Sequence, residues 1–478
     1  MTAALDGTTG ARRYVAQTAE RTRRLSDLDR DLIRLASEPG YPRWVDQVRA
    51  TGGCARPVYL AGHTTTYDRA TGSVLRHYDT ASEPGGRLAV RCRNRRASRC
   101  GPCSREHAGD TFHLVRAGLS GGKGTPEAVA DHPRLFVTLT APSFGPVHRA
   151  GPDRCRPRRD GETCPHGRAL GCGRTHPDDD PAVGQPLCQA CYDYTAHVLW
   201  HAHAGELWNR TCRAIRRHLA TAAGITQTHF ARHARLAFAK VTEYQRRGAV
   251  HFHAVVRLDG PAGPGTPPPS WGTADLLADA VRAAASAARV TLDASAALGE
   301  YAFGWGVQLD VRPVRAFGDG PAVTDDAVAA YVAKYTSKSV GDSGALDHRI
   351  TSRAQITYAA VSPHLRTLMA VCWRLGDLPQ LAHLRLRAWA HTLGYRGHCL
   401  TKSRRYSTTY RALRAARTAH RAGQPLAQGP TLVVEAAWRY VGSGHTAGEA
   451  AVAAGIAEDL AELRTLRRAM SASGWPDG

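Results

Sequence analysis

Two tyrosines one helical turn apart, Tyr331 and Tyr335, carry the strongest chemical signal in the chain. They lie in Ala329-Ala330-Tyr331-Val332-Ala333-Lys334-Tyr335-Thr336-Ser337-Lys338, a stretch without glycine or proline that predicts a helix. Positions i and i+4 of a helix share a face. Both phenol oxygens are therefore expected in one space, flanked by the ammonium groups of Lys334 and Lys338. Two equivalent nucleophiles beside phosphate-binding charge suit an enzyme that breaks and rejoins a nucleic-acid strand. The lysines sharpen this reading. Among 63 basic residues only Lys123, Lys240, Lys334, Lys338 and Lys402 are lysine. Lysine is a compact, mobile point charge and arginine a planar fork, and two of the five lysines fall in this one helix. The competing reading is an amphipathic helix with half-buried tyrosines and solvated lysines.

The second signal is His251-Phe252-His253, inside Ala249-Val-His-Phe-His-Ala-Val-Val-Arg-Leu258. This run predicts a strand, on which alternate residues share a face. Both imidazoles then point one way, and Phe252 points into the opposite core. Two neutral imidazoles so placed can hold one divalent ion. With 23 histidines in 478 residues, about one His-x-His arises by chance. The chain has another, His201-Ala202-His203, in a helical pattern where i and i+2 face apart; that pair is expected to be solvated or capping. Glu243 precedes the hairpin tip Gln245-Arg246-Arg247-Gly248. The paired strand could bring its carboxylate to the histidines as a third ligand, and oxygen plus imidazole ligands suit Mg²⁺ or Mn²⁺. An exposed carboxylate beside Arg246 or Arg247 is the alternative.

The third signal is cysteine spacing. Cys100-x-x-Cys103 and Cys188-x-x-Cys191 are knuckle spacings for tetrahedral zinc. Cys54 and Cys92 could complete the first site, and Cys164 and Cys172 the second, with Cys155 or His166 as substitutes. Two structural Zn²⁺ ions per chain are expected. Cys212, Cys372 and Cys399 stand alone and read as core residues.

These groups need elements to hold them. Residues 134–140 predict a strand closed by Pro142, 235–243 and 249–258 a hairpin, and Val307 to Val311 a further strand. Long helices are expected over 194–222 and near 273–290. The expected organisation is an N-terminal helical region over 1–50 and a Cys-rich zinc module over 51–130. A catalytic α+β domain follows over 131–340, with a zinc-binding insertion at 151–193, and then a basic helical region over 341–478. Formal net charge is +22, a field that favours nucleic acid. Lys402, Arg404 and Arg405, in the dense basic run His398 to Arg417, are the candidate DNA contacts; a solvated helical face explains that charge almost as well. Met1 to Gly10 has no apolar core for a signal peptide, and no window approaches the about 20 apolar residues of a spanning helix. A cytoplasmic protein with reduced or metal-bound cysteines is expected, with no membrane partner.

An apolar strand ending Thr-Leu-Thr, a strand with His-Phe-His and a helix with Tyr-x-x-Lys-Tyr stand in one order from Arg134 to Lys338. This arrangement resembles the HUH endonucleases, specifically the two-tyrosine rolling-circle replication initiators of the phiX gene A type. Cys100-Gly-Pro-Cys103, Thr138-Leu-Thr-Ala-Pro-Ser-Phe-Gly-Pro-Val147, Cys188-Gln-Ala-Cys-Tyr-Asp-Tyr194 and Leu400-Thr-Lys-Ser-Arg-Arg-Tyr-Ser-Thr-Thr409 extend the resemblance to replication initiators of actinomycete plasmids and integrative conjugative elements. It implies an antiparallel-sheet catalytic domain, with the metal on a central strand and the tyrosines on a facing helix. It implies nicking of origin DNA, duplex and single-stranded, to give a 5′-phosphotyrosine and a 3′-OH that primes a host polymerase. Gly118-Leu-Ser-Gly-Gly-Lys123-Gly lacks phosphate-loop spacing, so a separate host helicase is expected. The rival readings are a relaxase or transposase of the same chemistry and, outside enzymes, a zinc-dependent DNA-binding regulator.

Overall fold

Val250–Asp259 is buried almost throughout its ten residues, as a strand must be when both sheet faces are covered. In the computed structural model it lies inside a six-stranded sheet. The order across the sheet is Val323–Thr324, Leu309–Arg315, Arg134–Leu139, Val250–Asp259, Arg235–Tyr244 and Leu400–Lys402. All neighbours are antiparallel except Val323–Thr324, which pairs parallel with Leu309–Arg315. The structure describes residues 25–156, 161–296, 298–315, 323–337, 344, 346, 348–421 and 432–472. The chain divides into two units, one of Ala108–Arg417 and one of Met1–His107 with Thr418–Gly478.

In the larger unit one face of the sheet carries Leu135, Val137, Leu139, Phe252, Ala254, Val256 and Leu258. The helices Tyr194–Ala222, Ala274–Ala287 and Pro363–Leu375 bury it with Trp200, Leu207, Val281 and Leu368. Each fully buried side chain of this size contributes about 1.5–3 kcal/mol. The other face carries Ala239, Val241 and Val255 against Leu114, Val115 and Leu119 of Gly101–Ser120, and Val328, Ala329 and Val332 of the tyrosine helix Asp325–Ser337. Tyr406 is fully buried here, and its hydroxyl donates to the Val115 carbonyl at 3.1 Å. A Cβ at Gly118 would lie 2.2 Å from the Tyr406 ring, so this helix needs glycine there.

Two devices set the site in place. Asp325, the first residue of the tyrosine helix, accepts from buried Arg134 at 2.9 Å and from the Ser120 hydroxyl at 2.7 Å. An acidic residue at a helix N-terminus also complements the helix dipole. At the other end of the sheet the hairpin closes with Gly248 at φ +78°, packed against Leu365, Leu368 and Leu393. A side chain would meet both the strain of that φ and the packed leucines.

The smaller unit has a sheet ordered Leu432–Ser443, Val58–Asp68, Val74–Asp79, with Leu88–Val90 also paired to Val58–Asp68. The helices Asp27–Ala36, Tyr41–Ala50 and Ala447–Ala472 contribute Leu35, Trp44, Val48 and Ala453 to a small core. The stretch from 341 onward is not wholly helical. Leu400–Lys402 forms an edge strand beside Arg235–Tyr244, and Leu432–Ser443 pairs along the whole of Val58–Asp68. The β-branched and aromatic residues Val433, Val434, Trp438, Tyr440 and Val441 favour a strand, but alanine and arginine around them mask the alternation. The strand expected from Val307 begins at Leu309 and runs to Arg315.

Candidate functional site: a Glu–His–His centre facing two tyrosines

Register assembles the centre. Glu243 pairs directly with His251, and His253 lies between Val241 and Thr138 on the neighbouring strands. One Glu243 carboxylate oxygen lies 2.8 Å from His251 Nε2 and 3.1 Å from His253 Nε2, and the two imidazole nitrogens are 3.2 Å apart. Ligands about 2.1 Å from one octahedral ion lie about 3 Å apart when adjacent, so the three donor atoms have the spacing of three ligands of one cation. The Thr138 hydroxyl meets His253 Nδ1 at 3.0 Å. With Nδ1–H donating to Thr138, the Nε2 lone pair is left for the centre. Burial works to raise the Glu243 carboxyl, but its close contacts with the His251 and His253 imidazoles outweigh burial and hold it down at about 2. Burial lowers the His253 imidazole below its ordinary value.

The tyrosines face this centre. The Tyr331 hydroxyl is 3.0 Å from His253 Nε2. The Tyr331 and Tyr335 rings are 4.5 Å apart, and the Tyr335 ring lies over His253 at 5.9 Å. Phe136 stacks on His253 and meets Tyr331 edge-on, fixing both rings. Burial, then the Glu243 charge, raises both phenols above their ordinary value, Tyr331 furthest. Lys334 is exposed, with its ammonium 5.7 Å from the Tyr335 ring centre. Lys338 lies outside the described residues.

Among the described residues, nine of the twelve cysteines fall into three groups. Cys54, Cys92, Cys100 and Cys103 converge as expected, with Sγ atoms 3.6 and 3.8 Å apart for Cys103–Cys54 and Cys100–Cys54. Bonds of about 2.3 Å to a tetrahedral ion place sulfurs about 3.8 Å apart. The backbone N–H groups of Ala55, Cys92 and Asn94 point at Cys100, Cys54 and Cys92 sulfurs, which favours thiolates. Cys164, Cys188 and Cys191 also converge, but their fourth member is His166, 3.2 Å from Cys191 Sγ. Cys172 is the correction: it lies instead with His148, Cys155 and His176. The spacing rule saw only paired cysteines, and two histidines far apart in sequence gave no knuckle signal. These groups could hold structural zinc.

His201 and His203 are a second correction, since both are buried. His201 Nδ1 meets the Leu393 carbonyl at 2.8 Å and its Nε2 accepts from the Val250 N–H at 3.0 Å. The histidine thus ties down the start of the His-Phe-His strand. The Lys402 ammonium turns onto the carbonyls of Ser403, Arg404 and Ser407. Arg404 and Arg405 are exposed. Cys212 and Cys372 are buried, and Cys399 is partly so. Sequence reasoning missed Thr138 and Phe136 as supports of His253; both lie in the strand it identified, two residues apart on one face.

A mostly antiparallel sheet that presents a carboxylate and two imidazoles to two tyrosines of a helix, with Cys/His groups able to bind zinc, defines a mixed α and β protein with several candidate metal centres. Residues 40–458 match the family RepSA, described as "Replication initiator protein, pSAM2", and the chain belongs to it. It is 49% identical over 441 residues to a Replication initiator protein of Streptomyces ambofaciens, covering 90% of this chain and 93% of that one. No solved structure matches the chain. Among the described residues no helix is long and apolar enough to cross a membrane.

Proposed function

We propose that this replication initiator opens its origin by rolling-circle chemistry, with Tyr331 as first nucleophile and Tyr335 as second. The observation that supports this most is the Tyr331 hydroxyl on His253 Nε2 at 3.0 Å, with the Tyr335 ring tilted against that of Tyr331 at 4.5 Å. Tyr331 Oη attacks the scissile phosphorus. The P–O3′ bond breaks, the phenol proton passes in net to the departing 3′ oxygen, and the resulting 3′-OH is the primer for a host polymerase. Glu243, His251 and His253 would hold Mg²⁺ or Mn²⁺, which supplies positive charge to the phosphate oxygens and offsets the Glu243 charge that now raises both phenols. Lys334 and Lys338 add charge for the phosphate. Phe136 and Thr138 keep the His253 ring in position. After one round Tyr335 attacks the regenerated origin while Tyr331 is still esterified, and the released 3′-OH displaces Tyr331 to close the strand. Origin DNA, duplex and single-stranded, is the partner, and a host helicase unwinds it.

The test is covalent adduct formation on supercoiled DNA carrying the element's origin. Tyr331→Phe should reduce the adduct by at least about 100-fold in the first turnover, and Tyr331→Phe with Tyr335→Phe should abolish it. Undiminished adduct in the double variant overturns the reading, and a protein that binds the origin without nicking it is a regulator.

A further inference from the structure

The group His148, Cys155, Cys172 and His176 stands apart from the knuckles and from the Glu–His–His centre. We propose that it is a third zinc site, of Cys₂His₂ type, which fixes the loop from Val147 to Arg156. His148 Nδ1 and His176 Nε2 are 3.2 Å apart, Cys172 Sγ is 3.2 Å from His176 Nε2, and Cys155 Sγ is 3.9 Å from His148 Nδ1. Tetrahedral zinc, with bonds of about 2.3 Å to sulfur and about 2.0–2.1 Å to nitrogen, sets such ligands about 3.3–3.8 Å apart. The four donors therefore surround one ion-sized space.

Two further observations point to a metal. His176 is buried, and its other ring nitrogen, Nδ1, lies 2.7 Å from the Asp180 carboxylate. A carboxylate behind a histidine is the usual support of a metal ligand: it fixes the ring and makes the far nitrogen a better donor. The Arg149 N–H donates to Cys155 Sγ at 3.1 Å, a contact that favours the thiolate. A short backbone ladder brings the ligands together, with Cys155 N–H donating to Arg174 O and Gly151 N–H to His176 O. Little else holds this segment, because among the described residues it carries few large apolar side chains and only isolated β-bridges. The loop it fixes is one wall of a cleft of about 410 Å³ that also takes in Thr140, Arg246, Arg247 and Gln308. Arg149 and Arg156 stand on that wall. The cleft starts two residues beyond Thr138 and Glu243 at the same end of the sheet.

Zinc analysis of the full chain tests this without any appeal to nicking. The protein should carry His251→Ala and His253→Ala, so that the strand histidines add no zinc. Native mass spectrometry should then find three zinc ions per chain, and two after Cys172→Ser. X-ray absorption on the unaltered Cys/His groups provides a readout that needs no Cys variant. Three sites share nine thiolates and three imidazoles, whereas the two knuckle sites alone share seven thiolates and one imidazole. Asp180→Asn should keep the third ion but bind it about 10-fold more weakly. Two zinc ions per chain with the sulfur-rich average overturn the proposal, as does a third ion that Cys172→Ser leaves in place.

Discussion

In the six-stranded sheet, Glu243, His251 and His253 converge because strands put them there: Glu243 opposite His251, and His253 opposite Thr138. Each of those strands is buried by helices on both faces, so the ligand atoms are positioned before any ion arrives. The segment from His148 to Cys191 is the reverse case. It has turns, isolated bridges and exposed polar residues, and its four-residue groups join positions that no strand or helix holds. There the ligands would hold the fold. A site carried by a core survives loss of its ion; a fold carried by an ion does not.

The largest expected effect is a divergence between two variants. His251→Ala should lower nicking by at least about 100-fold while leaving the melting temperature within a few degrees, roughly the effect expected below 1 kcal/mol. Cys188→Ser should lose one zinc and open the 148–191 segment to limited proteolysis, with nicking falling only as far as the segment is needed. Equal loss of fold in both would erase the distinction, and intact folding in both would mean that the cysteines are ordinary buried thiols.

A smaller effect isolates the sheet. His201 and His364 are lowered to about 4, chiefly by burial. The unfolded chain has both near their ordinary 6.5 and takes up more protons between those values, so stability rises with pH across the window and is lost as pH falls from about 6.5 to about 4. The size is on the order of 3 kcal/mol for each histidine at the acid end. Protonated His201 also loses its hold on the Val250 N–H, which its Nε2 now accepts at 3.0 Å. Urea denaturation of zinc-stripped protein, read by tryptophan fluorescence, should show this slope. His201→Gln should flatten it in part, since His364 and His197, also lowered by burial, still contribute. A flat profile in the stripped protein would assign acid sensitivity to the zinc ligands alone.

The same contrast decides what the sequence made legible. The hairpin signal, two apolar runs joined through Gly248, placed the His-Phe-His strand and its Arg235–Tyr244 partner, and a stretch without glycine or proline placed the tyrosine helix. Glu243 was legible through the hairpin, since a short turn fixes register. Cys54, Cys92, Cys100 and Cys103 were legible because one knuckle had two cysteines nearby. His148 and His176 were not, for ligands in irregular chain follow no period. His201 was misread for another reason. A histidine on a polar-looking helical turn shows nothing of the Leu393 and Val250 backbone groups that come to it from distant segments. Leu432–Ser443 hid in the same way, its partner lying over 360 residues earlier in the chain.

The smallest expected effect concerns the basic turn after the edge strand. Lys402 is bound to three carbonyls of its own turn, and Arg405 donates to the Ala262 carbonyl at 2.9 Å. Both guide the backbone that presents Arg404 to solvent. Phosphate contacts by Arg404 would give no base preference. Arg404→Ala should therefore weaken origin and random duplex alike, and reduce the slope of log affinity against log salt by about 1. Arg405→Ala should change the slope less, because that guanidinium already serves the Ala262 carbonyl. A loss confined to the origin would place Arg404 at a base edge. If Arg404→Ala moves neither DNA, the +22 charge acts elsewhere, and the arginines beside the zinc-held loop, Arg149 and Arg156, become the next phosphate contacts to change.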